Sequence, residues 1–274
     1  MSKTYVAIIL DKSGSMAQTK VAAITGFNEQ IQQLKEDSKT QEIYCSLISF
    51  NGEVFEHLWN VPADQLAEAN VEDYIPSGNT AMRDAIGYTV QKLLNTTDQE
   101  DPNTAYLIVT ISDGATNHDK HYGVDSLKEL SEGCQATKRW TFTYVGCDER
   151  YLREIARQTA TPVANMASWS NSSESVALRG FSNNTARQKK YFKEREMGQV
   201  GSANYACDIN NMVADYTKVS EEVAPSPVVI AMEDLPKMDL SSVLGRGPKY
   251  EEQVSSPYNG EALFSNSLKV KWKV

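Results

Sequence analysis

Three short polar fragments carry the residues able to do chemistry. The first is Asp11-Lys12-Ser13-Gly14-Ser15, directly after an apolar run at 5–10. In an extended loop, residues i, i+2 and i+4 point the same way, so the oxygens of Asp11, Ser13 and Ser15 can converge on one point. The second, Ser77-Gly78-Asn79-Thr80, opens a helical pattern and offers the Thr80 hydroxyl. The third, Ser112-Asp113-Gly114, follows the apolar run 106–111 and offers a second carboxylate. An aspartyl nucleophile at Asp11 would want another carboxylate two residues on, and Ser13 stands there instead. No phosphate-cradling GxxxxGK[ST] or GxGxxG follows a strand, and no GxSxG nucleophile elbow occurs. The chemistry on offer is oxygen-rich binding, and no enzyme is expected.

The elements that must position these fragments are legible as alternating patterns. The runs at 5–10, 43–50, 106–111 and 140–145 are short and nearly continuously apolar, as strands covered on both faces are. Between them Val21, Ile24, Phe27, Ile31 and Leu34 mark one helix face, and Ala85, Ile86, Val90, Leu93 and Leu94 another. Val124, Leu127 and Leu130 suggest a third helix, and Leu152, Ile155 and Ala156 a fourth. Alternation of this kind predicts an α/β fold: a doubly wound, mostly parallel six-stranded sheet. The segment 53–59 follows its predecessor at hairpin spacing, so it is expected as one antiparallel edge strand. Ligands of open parallel sheets bind beyond the carboxyl ends of the strands, where all three fragments lie.

DKSGS, SGNT and SDG, in this order and spacing, resemble the metal-ion-dependent adhesion site of von Willebrand factor A-type domains, and within them the small bacterial or phage proteins of the tellurite-resistance-associated type. DxSxS alone also occurs in polar turns and helix caps; its placement with the other two fragments behind three core elements is what carries the resemblance. The resemblance implies a Rossmann-like fold over about residues 2–166. It also implies a divalent cation, magnesium first, with manganese or calcium as alternatives. Ser13, Ser15 and Thr80 would give hydroxyl oxygens to the metal directly, and Asp11 and Asp113 would act through water or by hydrogen-bonding the serines. Neutral hydroxyls leave such an ion much of its charge, so the implied partner is a protein presenting an Asp or Glu carboxylate.

Composition bounds the rest. With 274 residues, 41% hydrophobic and 23% charged, the chain can bury a sizeable core, and its net charge of -9 argues against wholesale binding to nucleic acid or an anionic membrane. Cys45, Cys134, Cys147 and Cys207 form no CxxC pair and read as reduced thiols. The run 6–10 ends at Asp11 and reads as a strand, not a leader, so a cytoplasmic location is expected, or a virion if the protein is phage-encoded. His118 and His121 around Asp119 read as loop residues. The basic cluster Arg179, Arg187, Lys189, Lys190, Lys193 and Arg195, with Tyr191 and Phe192, reads as a solvated helix face.

The expected organisation is a von Willebrand factor A-type domain at 1–168, a helical connection at 169–197 and an extended C-terminal arm at 198–274. Five of the nine prolines fall in the last fifty residues, and the apolar groups at 209–219, 228–232 and 268–274 are too isolated to make a core. The last of these alternates apolar residues with Lys269, Lys271 and Lys273, which suits pairing along a sheet edge, with a neighbouring subunit's edge slightly preferred over the chain's own. Truncation near Asn171 is accordingly expected to leave a folded domain. Two functions follow: a metal-dependent adaptor that grips a partner's acidic residue, or a structural assembly component in which the fold is a scaffold and the arm makes the contacts.

Overall fold

The computed structural model describes residues 2–146, 149–168, 174–200, 230–231, 247–252, 263–264 and 267–273. The chain runs β1 (Lys3–Asp11), a single 3-10 turn (Gly14–Gln18), α1 (Lys20–Asp37), β2 (Glu42–Phe50), β3 (Val54–Pro62), α2 (Met82–Thr96), β4 (Thr104–Ser112), α3 (Val124–Ala136), β5 (Trp140–Gly146), α4 (Glu149–Thr159), β6 (Met166–Ser168), α5 (Glu174–Glu196), β7 (Gln199–Val200), β8 (Ile230–Ala231) and β9 (Leu268–Lys269). Among the described residues no helix is long and apolar enough to cross a membrane. The expected helical stripe at 209–219 lies outside the described residues.

One sheet has the strand order β6-β5-β4-β1-β2-β3-β9. β1 pairs in parallel with β2 and β4, β4 with β5, and β5 with β6. β3 runs antiparallel to β2, and β9 antiparallel to β3. The fold is thus the doubly wound, mostly parallel sheet expected, with two corrections. Among the described residues it has seven strands rather than six, and β3 is not its edge. β9 covers β3, Phe55 opposite Lys269 and Glu56 opposite Leu268, and the Val270 amide adds a bond to the Val54 carbonyl at 2.9 Å. A bare β3 edge would present unpaired backbone groups. The preference for a neighbour's edge is therefore corrected: the chain's own C-terminal strand takes that place.

The sheet is buried on both faces, which is why its strands read as continuous apolar runs. Side chains along β1 alternate. Val6, Ile8 and Leu10 join Ile24, Phe27, Ile31 and Leu34 of α1, while Ala7 and Ile9 join Ala85, Ile86, Val90 and Leu93 of α2 and Leu127 and Leu130 of α3. Near the N-terminal ends of the strands, Tyr44, Tyr5, Tyr106 and Trp140 stack in succession across β2, β1, β4 and β5 at 5.3, 5.7 and 4.0 Å. The same register, carried to the other end, sets Leu10 beside Ile111 and Asp11 beside Phe50.

The segment read as a helical connection contains α5, a packed layer lying against α1. Phe181, Tyr191 and Phe192 are buried in the same cluster as Phe27 and Ile31. The two helices approach so closely at Gly26 that a Cβ there would fall 2.0 Å from the Phe181 ring. The basic cluster divides accordingly. Lys189, Lys190 and Lys193 are exposed, but Arg187 and Arg195 are buried. Arg187 donates to the Met166 carbonyl, and Arg195 donates to Thr4 Oγ1 and to the carbonyls of Lys3 and Asn103. With Tyr191 and Phe192 in the core as well, the solvated-face reading fails for Arg187 and Arg195 and holds for the three lysines, and the Arg179 side chain lies outside the described residues.

Candidate metal centre

The parallel register of β1 with β4 builds the floor of the site. Asp11 ends β1 and Ser112 ends β4, so Ser112 Oγ reaches Asp11 Oδ2 and donates to it at 2.6 Å. The other carboxylate oxygen, Oδ1, accepts the Ser13 amide at 2.7 Å, which turns the chain out of the strand. The Tyr74 hydroxyl, fully buried, donates to the Asp11 carbonyl, and the Tyr144 hydroxyl donates to the Ser112 carbonyl at 2.8 Å. Both strand ends are thus held by phenols from elsewhere in the fold.

Past Asp11 the loop folds at once into the 3-10 turn, whose Met16 side chain is wholly buried and plugs it into the core. Ser13 and Ser15 come together, their Oγ atoms 3.1 Å apart, and Ser15 Oγ donates to Asp113 Oδ1 at 2.7 Å. Ser13 is almost fully buried while Ser15 is exposed. Asp11, Ser13, Ser15 and Asp113 therefore form one hydrogen-bonded set. Lys12, between them, extends over the Phe55 ring.

The Thr80 turn is tied to the first loop through its backbone. The Ser77 amide donates to the Lys12 carbonyl at 2.8 Å, and the Gly14 amide to the Gly78 carbonyl at 3.1 Å. Gly78 has φ +77°, a left-handed conformation that disfavours any residue with a Cβ, and it makes this approach possible. Thr80 itself is buried and gripped from the loop after Asp113. Its amide donates to Asn117 Oδ1, and its carbonyl accepts from the amides of Asn117 and His118 and from Thr116 Oγ1.

Asp119 and Asp84 complete that grip in a reciprocal clasp. Asp119 Oδ1 accepts the amides of Arg83 and Asp84 at 2.7 and 3.2 Å, capping the N-terminus of α2, and Oδ2 pairs with Arg83 at 3.0 Å. Asp84 in turn accepts the amides of Lys120, His121 and Tyr122. Asp119 is thus a structural cap, and His121 stacks on Trp272. Sequence reasoning missed Ser112 as a hydrogen-bond partner, Met16, Tyr74, Asn117 and the clasp. Ser112 could have been found from its place beside Asp11 in a parallel register. Asp84 and Asp119 lie too far apart in sequence to signal their pairing.

Electrostatics test whether a divalent cation suits this set. Burial pushes the Asp11 carboxyl up to about 6, against the Ser112 and Ser13 hydrogen bonds that lower it, and the nearby Asp113 charge raises it further. Burial also raises Asp113, opposed by the Ser15 hydrogen bond. No lysine or arginine pairs with Asp11 among the described residues. Two buried carboxylates that repel one another, beside convergent hydroxyls, are relieved by a hard cation that prefers oxygen. Among the described residues there is no cluster of three or more His, Cys, Asp or Glu side chains able to hold a metal.

Comparison with known proteins agrees with this architecture. No curated protein matches the sequence. Among solved structures, a von Willebrand factor type A protein from Catenulispora acidiphila shares 16% identity at TM-score 0.48, over 72% of this chain and 43% of its own. The manganese-loaded TRAP protein of Plasmodium vivax shares 21% identity at TM-score 0.45, over 65% of this chain and 72% of its own. Proximal thread matrix protein 1 from the mussel byssus, with a zinc-occupied MIDAS motif, shares 13% identity at TM-score 0.41, over 60% and 41%. This chain thus spans less than half the length of the first and third. The family model for the von Willebrand factor type A domain matches residues 6–184, from within β1 into α5, and on that match the chain belongs to the von Willebrand factor type A domain family.

Proposed function

We propose that this chain is a metal-dependent protein-interaction module that binds a divalent cation, magnesium first, through Asp11, Ser13, Ser15, Thr80 and Asp113, and uses it to grip a partner's Asp or Glu side chain. The observation that carries this reading is the Ser13–Ser15 hydroxyl pair, 3.1 Å apart, beside the buried carboxylates Asp11 and Asp113. The serine hydroxyls, with that of Thr80, would face the cation. Asp113 orients Ser15, and Asp11 orients the loop through the Ser13 amide. When bound, the cation supplies an electrophilic point whose charge neutral hydroxyls leave largely intact, and an acidic side chain is attracted to it. Ser15, the exposed member of the set, marks the side from which a partner would approach.

The reading is non-enzymatic. Asp11 is fully buried and accepts hydrogen bonds from Ser112 Oγ and the Ser13 amide, which supports a structural role for it over a nucleophilic one. An adaptor of this kind fits a cytoplasmic or virion setting. Calorimetric titration with magnesium tests the site: binding by the native chain and none by Ser13→Ala/Ser15→Ala, with unchanged circular dichroism, is expected. Equal affinity in both would end the reading. Partner retention from the native source that persists in EDTA would favour a scaffold instead.

A further inference from the structure

The loop after Asp113 is held on two sides, and the second hold comes from the far end of the chain. Residues 249–251 and 271–273 form an antiparallel ribbon: the Glu251 amide donates to the Lys271 carbonyl at 2.7 Å, and the Lys273 amide to the Lys249 carbonyl at 2.8 Å. The ribbon is fastened to the domain along β3 through β9 and Val270. Lys269 and Lys120, one from each side, pair with the same Glu53 oxygen at 3.4 and 3.5 Å. Gly247 passes so near α2 that a Cβ there would lie 2.6 Å from Gln91 Oε1 and Tyr122 Oη.

The ribbon's apolar side bears directly on the loop. The Trp272 indole stacks on the His121 imidazole with centroids 4.1 Å apart and planes at 16°, and it meets Tyr122 and Tyr88 edge-on, each at 6.2 Å. Tyr250 adds an edge contact to Tyr88 at 4.8 Å. His121 and Tyr122 are therefore trapped, with Trp272 against their rings and the Asp84 carboxylate on their amides. Three residues earlier the same loop grips Thr80 through Asn117 and His118, and at its start stands Asp113. Packed rings thus join Trp272 to the loop that begins at Asp113 and that grips Thr80 by hydrogen bonds.

We propose that the C-terminal ribbon is a brace that holds the loop of residues 113–122 in the geometry the metal centre needs, with Trp272 as its positioning residue. The role assigned to the loop rests on the metal-site reading above; the hold on the loop does not. Ring stacking of this kind contributes beyond simple area burial, and enclosure of a loop by one such side chain shifts its local opening equilibrium.

The experiment compares the full native chain with Trp272→Ala and Trp272→Phe, with His121→Ala as a second probe of the same contact. Hydrogen exchange is measured without metal, followed by magnesium titration. In Trp272→Ala the amides of His121 and Tyr122 are expected to exchange at least about tenfold faster, those of β1 and β4 unchanged, and magnesium affinity to fall about tenfold. Trp272→Phe, which keeps an aromatic face, should restore most of both. Unchanged exchange at His121 and Tyr122 overturns the brace, as does acceleration spread equally through β1 and β4. Magnesium affinity identical in Trp272→Ala and the native chain overturns its link to the site. A native chain that binds no magnesium, yet shows the loop-specific exchange effect, sinks the metal reading and supports the hold on the loop.

Discussion

Ser15 Oγ donates to Asp113 Oδ1 at 2.7 Å across 98 positions of sequence, and this one bond joins the loop after β1 to the loop after β4. With its hydrogen committed, the Ser15 oxygen accepts from Ser13 Oγ at 3.1 Å and keeps one lone pair to face outward. Asp113→Ala should therefore release Ser15 to rotate and to rehydrate, since Ser15 is exposed. Magnesium affinity is expected to fall by about tenfold to a hundredfold, the usual cost of losing a group that orients a ligand. Unfolding free energy should fall by about 1 kcal/mol, a smaller effect, because the Ser15 hydroxyl it releases is exposed and can rehydrate. Calorimetry and urea denaturation read the two effects separately.

Arg195 carries a different kind of weight. Its guanidinium is buried and donates at 2.8, 2.9 and 2.9 Å to Thr4 Oγ1 and the carbonyls of Lys3 and Asn103. It thereby fastens the end of α5 to the start of β1, at the opposite end of the sheet from the candidate metal centre. Arg195→Met keeps the stem but leaves those acceptors buried without it, at about 1 to 3 kcal/mol for each acceptor that water fails to reach. A loss of about 3 kcal/mol in urea unfolding, with magnesium affinity of the folded protein unchanged, is expected.

His57 gives the chain a defined acid sensitivity. Its Nε2 lies 2.7 Å from Ser49 Oγ and its ring meets Phe264 edge-on; burial, with the Lys12 charge adding to it, pushes the imidazole down to about 3. The folded pKa is below the unfolded value near 6.5, so as pH falls the unfolded chain takes up a proton the folded chain refuses. Stability from this residue is complete above about 6.5 and is lost as pH falls toward 3, by up to about 1.4 kcal/mol per unit. Half-buried carboxylates such as Asp37, raised by desolvation to about 6, work in the other direction, so the comparison must be with His57→Gln. The difference in unfolding free energy between the two proteins, followed from pH 7 to 4, should narrow as pH falls.

What the sequence made legible was whatever depends on local periodicity and on order. Continuous apolar runs fixed β1, β2, β4 and β5 because strands covered on both faces need no polar alternation. The three fragments of the candidate metal centre could be placed because each directly follows such a run or opens a helix, and the parallel register does the rest. Contacts set by tertiary approach stayed hidden. Nothing near Asp84 announces the amides of Lys120 to Tyr122, and nothing near Leu268 says which edge it will meet. In α5 the buried residues include Asn184, Gln188 and Arg195 beside Phe181 and Phe192, so the sequence there lacks the clean apolar stripe that marks a packed helix.

The packing of α5 against α1 sets up the sharpest test of a domain boundary near residue 168. A chain ending at Asn171 keeps every residue of the candidate centre but loses α5. It uncovers Phe27, Ile31 and Leu34 of α1, which share a cluster with Phe181, Tyr191 and Phe192. Burial of each of those three aromatic side chains is worth roughly 1.5 to 3 kcal/mol. Together they approach the whole stability of a typical domain, about 5 to 15 kcal/mol, before the Arg195 hydrogen bonds are considered. The family match, which runs to residue 184, likewise passes beyond the cut. The truncated chain is therefore expected to lose its cooperative thermal transition and its near-ultraviolet dichroism, and with them magnesium binding. Gly26→Ala in the full chain should act in the same direction more mildly, by about 1 to 3 kcal/mol, since its new methyl group meets the Phe181 ring at 2.0 Å and must push α5 away from α1. A truncated chain that melts cooperatively and binds magnesium as the full chain does would return α5 to the status of a connection and put the boundary near residue 168.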